Sequence, residues 1–224
     1  MIKQFLFTVI LLASISTSAQ IHEVGIQVGG SNYIGDIGPT NYIRPNDLAL
    51  GILYKYNLNP RIALRGNFTY FGISSNDADS NHPGRADRGL SFNNSLYEFG
   101  AGVEFSFFEY NLDTQDKTHT PYILAEIAAV NYKHTNLRTG PDTYEYSSIT
   151  TVAIPFGFGY KFKLAGPLAM AVEVGARYTI KDNIDYNNPY IPELTFGNPN
   201  NNDWYMFTGI NLVYTFGRPP CYAE

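Results

Sequence analysis

The chain has 224 residues, of which 44% are hydrophobic, 15% aromatic and only 16% charged, with a formal net charge of −5. Soluble domains carry about 25% charged residues, and here that share gives way to 18 Tyr, 15 Phe and 20 Gly. A single Cys rules out an intramolecular disulfide framework, and the acidic balance argues against a nucleic-acid binder, which presents a basic face.

Residues 1–19 read as a secretory signal. Lys3 supplies the positive start, residues 5–15 an apolar run, and Thr17, Ser18 and Ala19 the small residues before a cleavage point. The run is too short to span ~30 Å of hydrocarbon, and no later stretch of ~20 apolar residues suggests a membrane helix. A β-barrel crosses lipid without one, because every backbone group is paired between strands.

Strands follow in sequence. The first two, 21–31 and 48–57, alternate weakly. In 61–71, Ile62, Leu64, Phe68 and Tyr70 share one face, with Arg61, Ala63, Arg65, Asn67 and Thr69 on the other. The segment 96–109 sets Tyr97, Phe99, Ala101, Val103, Phe105 and Phe107 against Glu98, Gly100, Gly102, Glu104 and Ser106. In 122–132 the outer face is Ile123, Ala125, Ile127 and Ala129, since Glu126 cannot meet hydrocarbon. The segment 148–162 contains Pro155, which removes a ladder donor and predicts a bulge or break. A strict period of two marks 168–181, and 204–216 places Trp204, Met206, Ile210, Leu212, Tyr214 and Phe216 on its apolar face.

The links alternate in length. Those at 57–60 and 164–167 are tight turns and 110–121 is somewhat longer; between them lie long polar links at 32–47, 72–94, 133–147 and 182–203. Eight antiparallel strands joined in this way predict an all-β transmembrane barrel of the outer-membrane type, with short periplasmic turns, long external loops and both termini in the periplasm. A secreted β-sandwich is the competing reading. Aromatic residues at both ends of the apolar faces and strands of ten or more residues favour the barrel. Residues 20–216 then form the barrel and 217–224 a short periplasmic tail.

The inward set is Glu23, Glu98, Glu104, Glu126 and Glu173 against Lys55, Arg61, Arg65, Arg177 and Lys181. Eight strands leave room only for side chains, so ion pairs should plug the lumen. Enzyme signals are thin. The four His lack ligand spacing, residues 76–81 lack the full calcium-loop pattern, and His82 with Asp79 and Ser80 is a coincidental cluster. No catalytic residue, metal or cofactor is expected.

Specific wording adds to this reading. The stretch Val28-Gly29-Gly30-Ser31-Asn32-Tyr33-Ile34-Gly35-Asp36-Ile37-Gly38 resembles the first strand and loop of the PorG-like outer-membrane proteins of Bacteroidetes. Arg44-Pro45-Asn46, Tyr54-Lys55-Tyr56-Asn57, Arg61-Ile62-Ala63-Leu64-Arg65 and Arg88-Gly89-Leu90-Ser91-Phe92-Asn93-Asn94 continue the likeness, which is densest over residues 22–110. The resemblance implies a role in the type IX secretion system and in gliding motility, beside a periplasmic ring of PorK- and PorN-like proteins. It carries over no catalytic residue. One departure is that Phe216 is not terminal, because eight residues, 217–224, follow it.

Two function classes remain: a non-enzymatic secretion component that anchors the ring, or a stand-alone surface barrel binding ligands or other cells through its external loops. In the first, the ring contacts come from the longest turn and the tail, with Tyr110, Asp113, Asp116, Lys117, Arg218 and Cys221 as candidates.

Overall fold

A computed structural model describes residues 21–110, 118–140, 143–197 and 201–217. Eight strands run in chain order: β1 (Ile21–Ile34), β2 (Asp47–Asn57), β3 (Ile62–Asn76), β4 (Ser91–Ser106), β5 (His119–Gly140), β6 (Thr143–Ala165), β7 (Leu168–Thr179) and β8 (Trp204–Phe216). Each pairs antiparallel with the next, and β1 closes on β8 from His22↔Phe216 to Ile34↔Trp204. Closure leaves no sheet edge along the wall, which is the condition for a sheet to sit in lipid.

The two-residue period decides the two faces. Along β7, Ala169, Ala171, Glu173, Arg177 and Thr179 are buried, while Leu168 and Val172 stand on the outside. The outer band includes Ile26, Ile52, Phe68, Phe99, Ile127 and Phe158. In water so continuous an apolar surface would aggregate; in hydrocarbon it is the surface such a barrel requires. Aromatic rings border it at both ends. At one end His22 stacks on Tyr54 and Phe216, and His119 on Tyr160. At the other, Tyr70 meets Tyr97, and Trp204 meets Tyr178 and Phe156. Amphipathic rings of this kind settle where hydrocarbon gives way to water.

Two local features differ from the sequence reading, and a third, the expected break at Pro155, takes the form of an interruption without a bulge. First, the polar link at 133–147 is largely strand. β5 and β6 run to 22 and 23 residues and stay paired to Gly140↔Thr143, with register shifts at Thr135/Leu137 and Arg138/Gly140. About 9–11 tilted residues suffice to cross, so this hairpin projects well past the apolar band, where pairing needs no apolar face. Second, β3 and β4 extend into the 72–94 link, and between them lie a 3-10 turn (Asp77–Asp79) and a six-residue helix, α1 (Pro83–Arg88). Pro83 starts α1 and Gly89, at φ 69°, ends it; six residues are too few to show helical periodicity. Third, Pro155 interrupts the β5–β6 ladder without shifting it, because Ala125↔Phe156 and Ala128↔Ala153 share one register.

Two apolar plugs close the interior. At the loop end, Tyr33, Phe71, Phe92, Leu96, Ile184 and Phe207 belong to one buried cluster; at the turn end, Leu53, Tyr110, Ala169 and Val213 form another. Charged side chains fill the space between them.

Candidate functional site

The lumen charges come from inward positions along the strands, and most of their contacts cross the interior. Arg65 on β3 is the hub. Its Nη1 and Nη2 donate to Glu173 on β7 at 2.6 and 3.1 Å, its Nε lies 3.3 Å from Glu126 on β5, and Nη1 lies 3.7 Å from Glu104 on β4. Glu173 also accepts from Tyr122 Oη (2.7 Å) and Asn211 Nδ2 (2.8 Å), and Glu126 from Asn67 Nδ2 (2.8 Å). Glu104 takes Lys55 Nζ on one oxygen at 2.6 Å and Lys161 Nζ on the other at 2.7 Å. Glu23 accepts from Asn57 Nδ2 at 2.7 Å.

Nearer the loop end, Glu98 accepts from Tyr205 Oη at 2.5 Å and lies 3.6 Å from Arg177 Nε. The Arg177 guanidinium also rests over the Phe71 and Phe207 rings, 5.2 and 5.4 Å from their centroids. β3 and β7 lie on opposite sides of the ring, so Glu173 finds its cation across the lumen rather than on a neighbouring strand. Long side chains reach the axis of so narrow a barrel and meet there.

Three residues correct the expected charge set. Arg61 precedes β3, is exposed, donates to the Phe107 carbonyl at 3.0 Å and pairs with Glu109 at 3.3 Å. Lys181 follows the end of β7 and is likewise exposed. Both keep the inward phase of the alternation but lie beyond the wall, where there is no lumen to enter. Lys161 is the cation the sequence reading missed, although its place between outward Tyr160 and Phe162 marks it as inward. Five buried acids thus face four buried bases: Glu23, Glu98, Glu104, Glu126 and Glu173 against Lys55, Arg65, Lys161 and Arg177.

Among the described residues the lumen is filled by buried side chains between two apolar plugs. Planar-bilayer recordings of the intact protein should therefore show no large, stable single-channel currents. A persistent conductance of porin size would mean that the plugs yield in the membrane.

At the turn end, Tyr110 is buried, and its ring takes Lys161 Nζ at 4.6 Å from the centroid. This corrects its expected role: a ring that packs on Leu53, Ala169 and Val213 and covers a lysine is barrel floor, not contact surface. Asp113, Asp116, Lys117, Arg218 and Cys221 lie outside the described residues, as does the 1–19 signal.

At the loop end, two of the distinctive sequence stretches, 28–38 and 88–94, meet around Asp77. Its buried carboxylate accepts from Arg88 Nε (2.8 Å) and Nη2 (3.0 Å) and from the N–H groups of Gly38 (2.8 Å) and Leu90 (3.0 Å). Burial alone would raise this carboxyl, but Arg88 and the two N–H groups outweigh it and hold it below its ordinary range. Asp77 is therefore spent on holding α1 to the β1–β2 loop and is not a free oxygen for a cation. Among the described residues no group of three or more His, Cys, Asp and Glu could hold a metal. His82 meets Ser80 only through its backbone N–H, and Asp79 pairs with Arg44, so no catalytic cluster forms there. Between the β5–β6 hairpin and the β7–β8 loop lies a cavity of about 490 Å³, bordered by His134, Lys181, Asp182, Asn187, Tyr190 and Phe196.

A family model described as a domain of unknown function (DUF6089) matches residues 2–224. The chain belongs to that family. No curated protein matches its sequence. Among solved structures, a major outer membrane protein from Thermus thermophilus is similar, with a TM-score of 0.50 and 11% identity over 88% of this chain and 100% of that one. The N-terminal β-barrel domain of Pseudomonas aeruginosa OprF matches with a TM-score of 0.43 and 14% identity, over 87% of this chain and 97% of that one. Neisserial surface protein A matches with 0.45 and 14%, over 88% and 96%. At such identities the likeness is one of fold, and this DUF6089 member is an eight-stranded barrel of the outer-membrane type.

Proposed function

We propose that this barrel is a non-enzymatic outer-membrane component of the type IX protein secretion and gliding machinery, anchoring a periplasmic ring of PorK- and PorN-like proteins. The observation that carries the reading is the sealed lumen. A barrel with nothing to conduct acts through its surfaces and its hold on the membrane, and the likeness of residues 22–110 to PorG-like proteins supplies the machine. In this reading residues 1–19 are removed on export, and both termini and the short turns face the periplasm.

Ring contacts then fall to the turn at 110–121, with Asp113, Asp116 and Lys117, and to the tail 217–224, with Arg218 and Cys221. A four-residue turn is too small, since even weak interfaces bury several hundred Å² per side. Arg218-Pro219-Pro220 is stiff and loses less entropy on docking than a Gly/Ser chain. Truncation after Phe216 should leave insertion normal and reduce co-purification of the ring. Full ring recovery with the truncated chain moves the contact to the turn at 110–121. The role itself is tested by deleting the gene and assaying secreted cargo and colony spreading; normal secretion in that strain would sink it.

A further inference from the structure

Residues 182–197, which follow β7, lie across the loop end of the barrel and are tied down by side chains from several strands. Tyr132 Oη on β5 donates to Asn183 Oδ1 at 2.5 Å, and Asn94 Nδ2 on β4 to the Ile184 carbonyl at 2.8 Å. Asn188 Nδ2 donates to the Thr135 carbonyl at 2.9 Å, and the Ile184 side chain is fully buried in the apolar plug. Tyr186, at φ 70°, is the one non-glycine residue with positive φ among the described residues, and it follows Asp185 directly. The cover has its own short 3-10 turn at Pro192–Leu194 and internal hydrogen bonds, and these side chains fix it to the barrel.

Its central tie has an unusual proton count. Tyr33 Oη, at the end of β1, lies 2.9 Å from Asp185 Oδ2 and 2.5 Å from Asp203 Oδ1, and it also accepts the Asp36 N–H at 3.2 Å. A phenol carries one proton and can donate it to one carboxylate. The second short O···O contact is a hydrogen bond only if that carboxyl brings its own proton. With both acids ionised, two oxygens bearing only lone pairs would face each other at bonding distance. The remaining oxygens are engaged as acceptors: Asp203 Oδ2 from the Ile184 N–H at 2.9 Å, and Asp185 Oδ1 from the Asn187 N–H at 3.1 Å. The proton is thus shared at the phenol.

We propose that Tyr33, Asp185 and Asp203 form a proton-dependent latch that holds residues 182–188 over the mouth of the barrel in acid and releases them as the pH rises. The surroundings favour retention of the proton. Asp36 and Asp182 add like charges from the β1–β2 and β7–β8 loops, and Phe92 covers the Tyr33 ring edge-on at 4.8 Å. Tyr132 and Asp77 are the other titratable groups nearby. Arg88 is the adjacent cation, but its Nε and Nη2 are turned to Asp77 and to the Asp36 carbonyl; Lys181 points to solvent. Burial, followed by the neighbouring Asp185, holds the Asp203 carboxyl well above its ordinary range. Burial, followed by Asp36 and Asp185, pushes Asp182 up to about 7.

The sign follows directly. These carboxyls bind protons more tightly in the closed latch than in the open segment, where they return towards about 3.9. Closure is complete in acid and is lost progressively as pH rises through the closed-state values. Gly35 permits the approach: a Cβ there would collide with Tyr33 Oη and stand 2.8 Å from Asp203 Oδ1.

The test is hydrogen–deuterium exchange of the full chain in lipid nanodiscs at pH 5 and pH 8.5, with rates normalised to intrinsic exchange. Protection of residues 182–188 should fall at least tenfold between the two, while the lumen strand 169–176 stays constant. Asp185→Asn, whose amide donates to Tyr33 without a proton to lose, should keep 182–188 protected at both pH values. Tyr33→Phe, which removes the shared oxygen, should leave them unprotected at both. Equal protection of the wild type at pH 5 and 8.5 overturns the latch. So does an Asp185→Asn variant that loses protection as the wild type does.

Discussion

Replacing Arg65 by alanine is expected to cost the barrel about 3–5 kcal/mol, the range typical when one partner of a buried ion pair is removed. The side chain is 1% exposed and contacts three carboxylates at once, Glu104, Glu126 and Glu173. Its loss leaves Glu173 with neutral hydrogen-bond donors only, Tyr122 and Asn211, and deepens the excess of buried acids over buried bases in the lumen. Water cannot re-enter to solvate those groups while both apolar plugs stay shut. Arg177→Ala should be milder, because Glu98 keeps the Tyr205 hydroxyl and its contact with Arg177 is 3.6 Å long. Denaturant unfolding in lipid, followed by the gel shift between folded and unfolded barrel, measures both. A loss below about 1 kcal/mol for Arg65→Ala would mean that the carboxylates neutralise by taking up protons, and that the ion pairs contribute little. Combining Arg65→Ala with Glu173→Gln should recover part of the loss, since the second change removes a stranded charge.

The second large effect belongs to the outer face. Val172→Arg places a guanidinium near the middle of the β7 apolar stripe, opposite Tyr160 on β6 and Ile210 on β8. The expected cost is about 2–4 kcal/mol, the midplane value for arginine on a lipid-facing barrel position. The neighbouring Ala171 points inward beside Tyr122 and Leu124, so arginine there acts by overfilling a closed space rather than by entering lipid. The two variants separate on lipid thickness. Thinner bilayers bring the headgroups closer and should relieve Val172→Arg, leaving Ala171→Arg unchanged. A soluble wild-type chain, or equal responses of both variants, would contradict a lipid-facing Val172.

The amino-acid sequence by itself determined the wall of this barrel, because a period of two survives any neighbour. Alternation in β3, β4, β7 and β8 needs no partner to be read, and Glu126 alone fixes the phase of β5, since a carboxylate cannot face hydrocarbon. The same alternation named most of the inward charges. It failed at Arg61 and Lys181, where the phase continues past the point at which the wall stops, and at Lys161, whose inward position was there to be read from its neighbours.

Only the tertiary structure decided which charges meet. Arg65 and Glu173 are 108 residues apart and on opposite sides of the ring, so no spacing along the chain could join them. Above the apolar band the periodic hydrophobic signal vanishes: the hairpin of β5 and β6, helix α1 and the β7–β8 loop are held by polar contacts and by isolated apolar anchors such as Ile184, with no period to read. Tyr33 and Asp203, separated by 170 positions, share their proton only because closure of β1 on β8 brings the two chain ends together. Periodicity reports which way a side chain points relative to lipid; which side chain it then touches is set by the curvature and closure of the sheet.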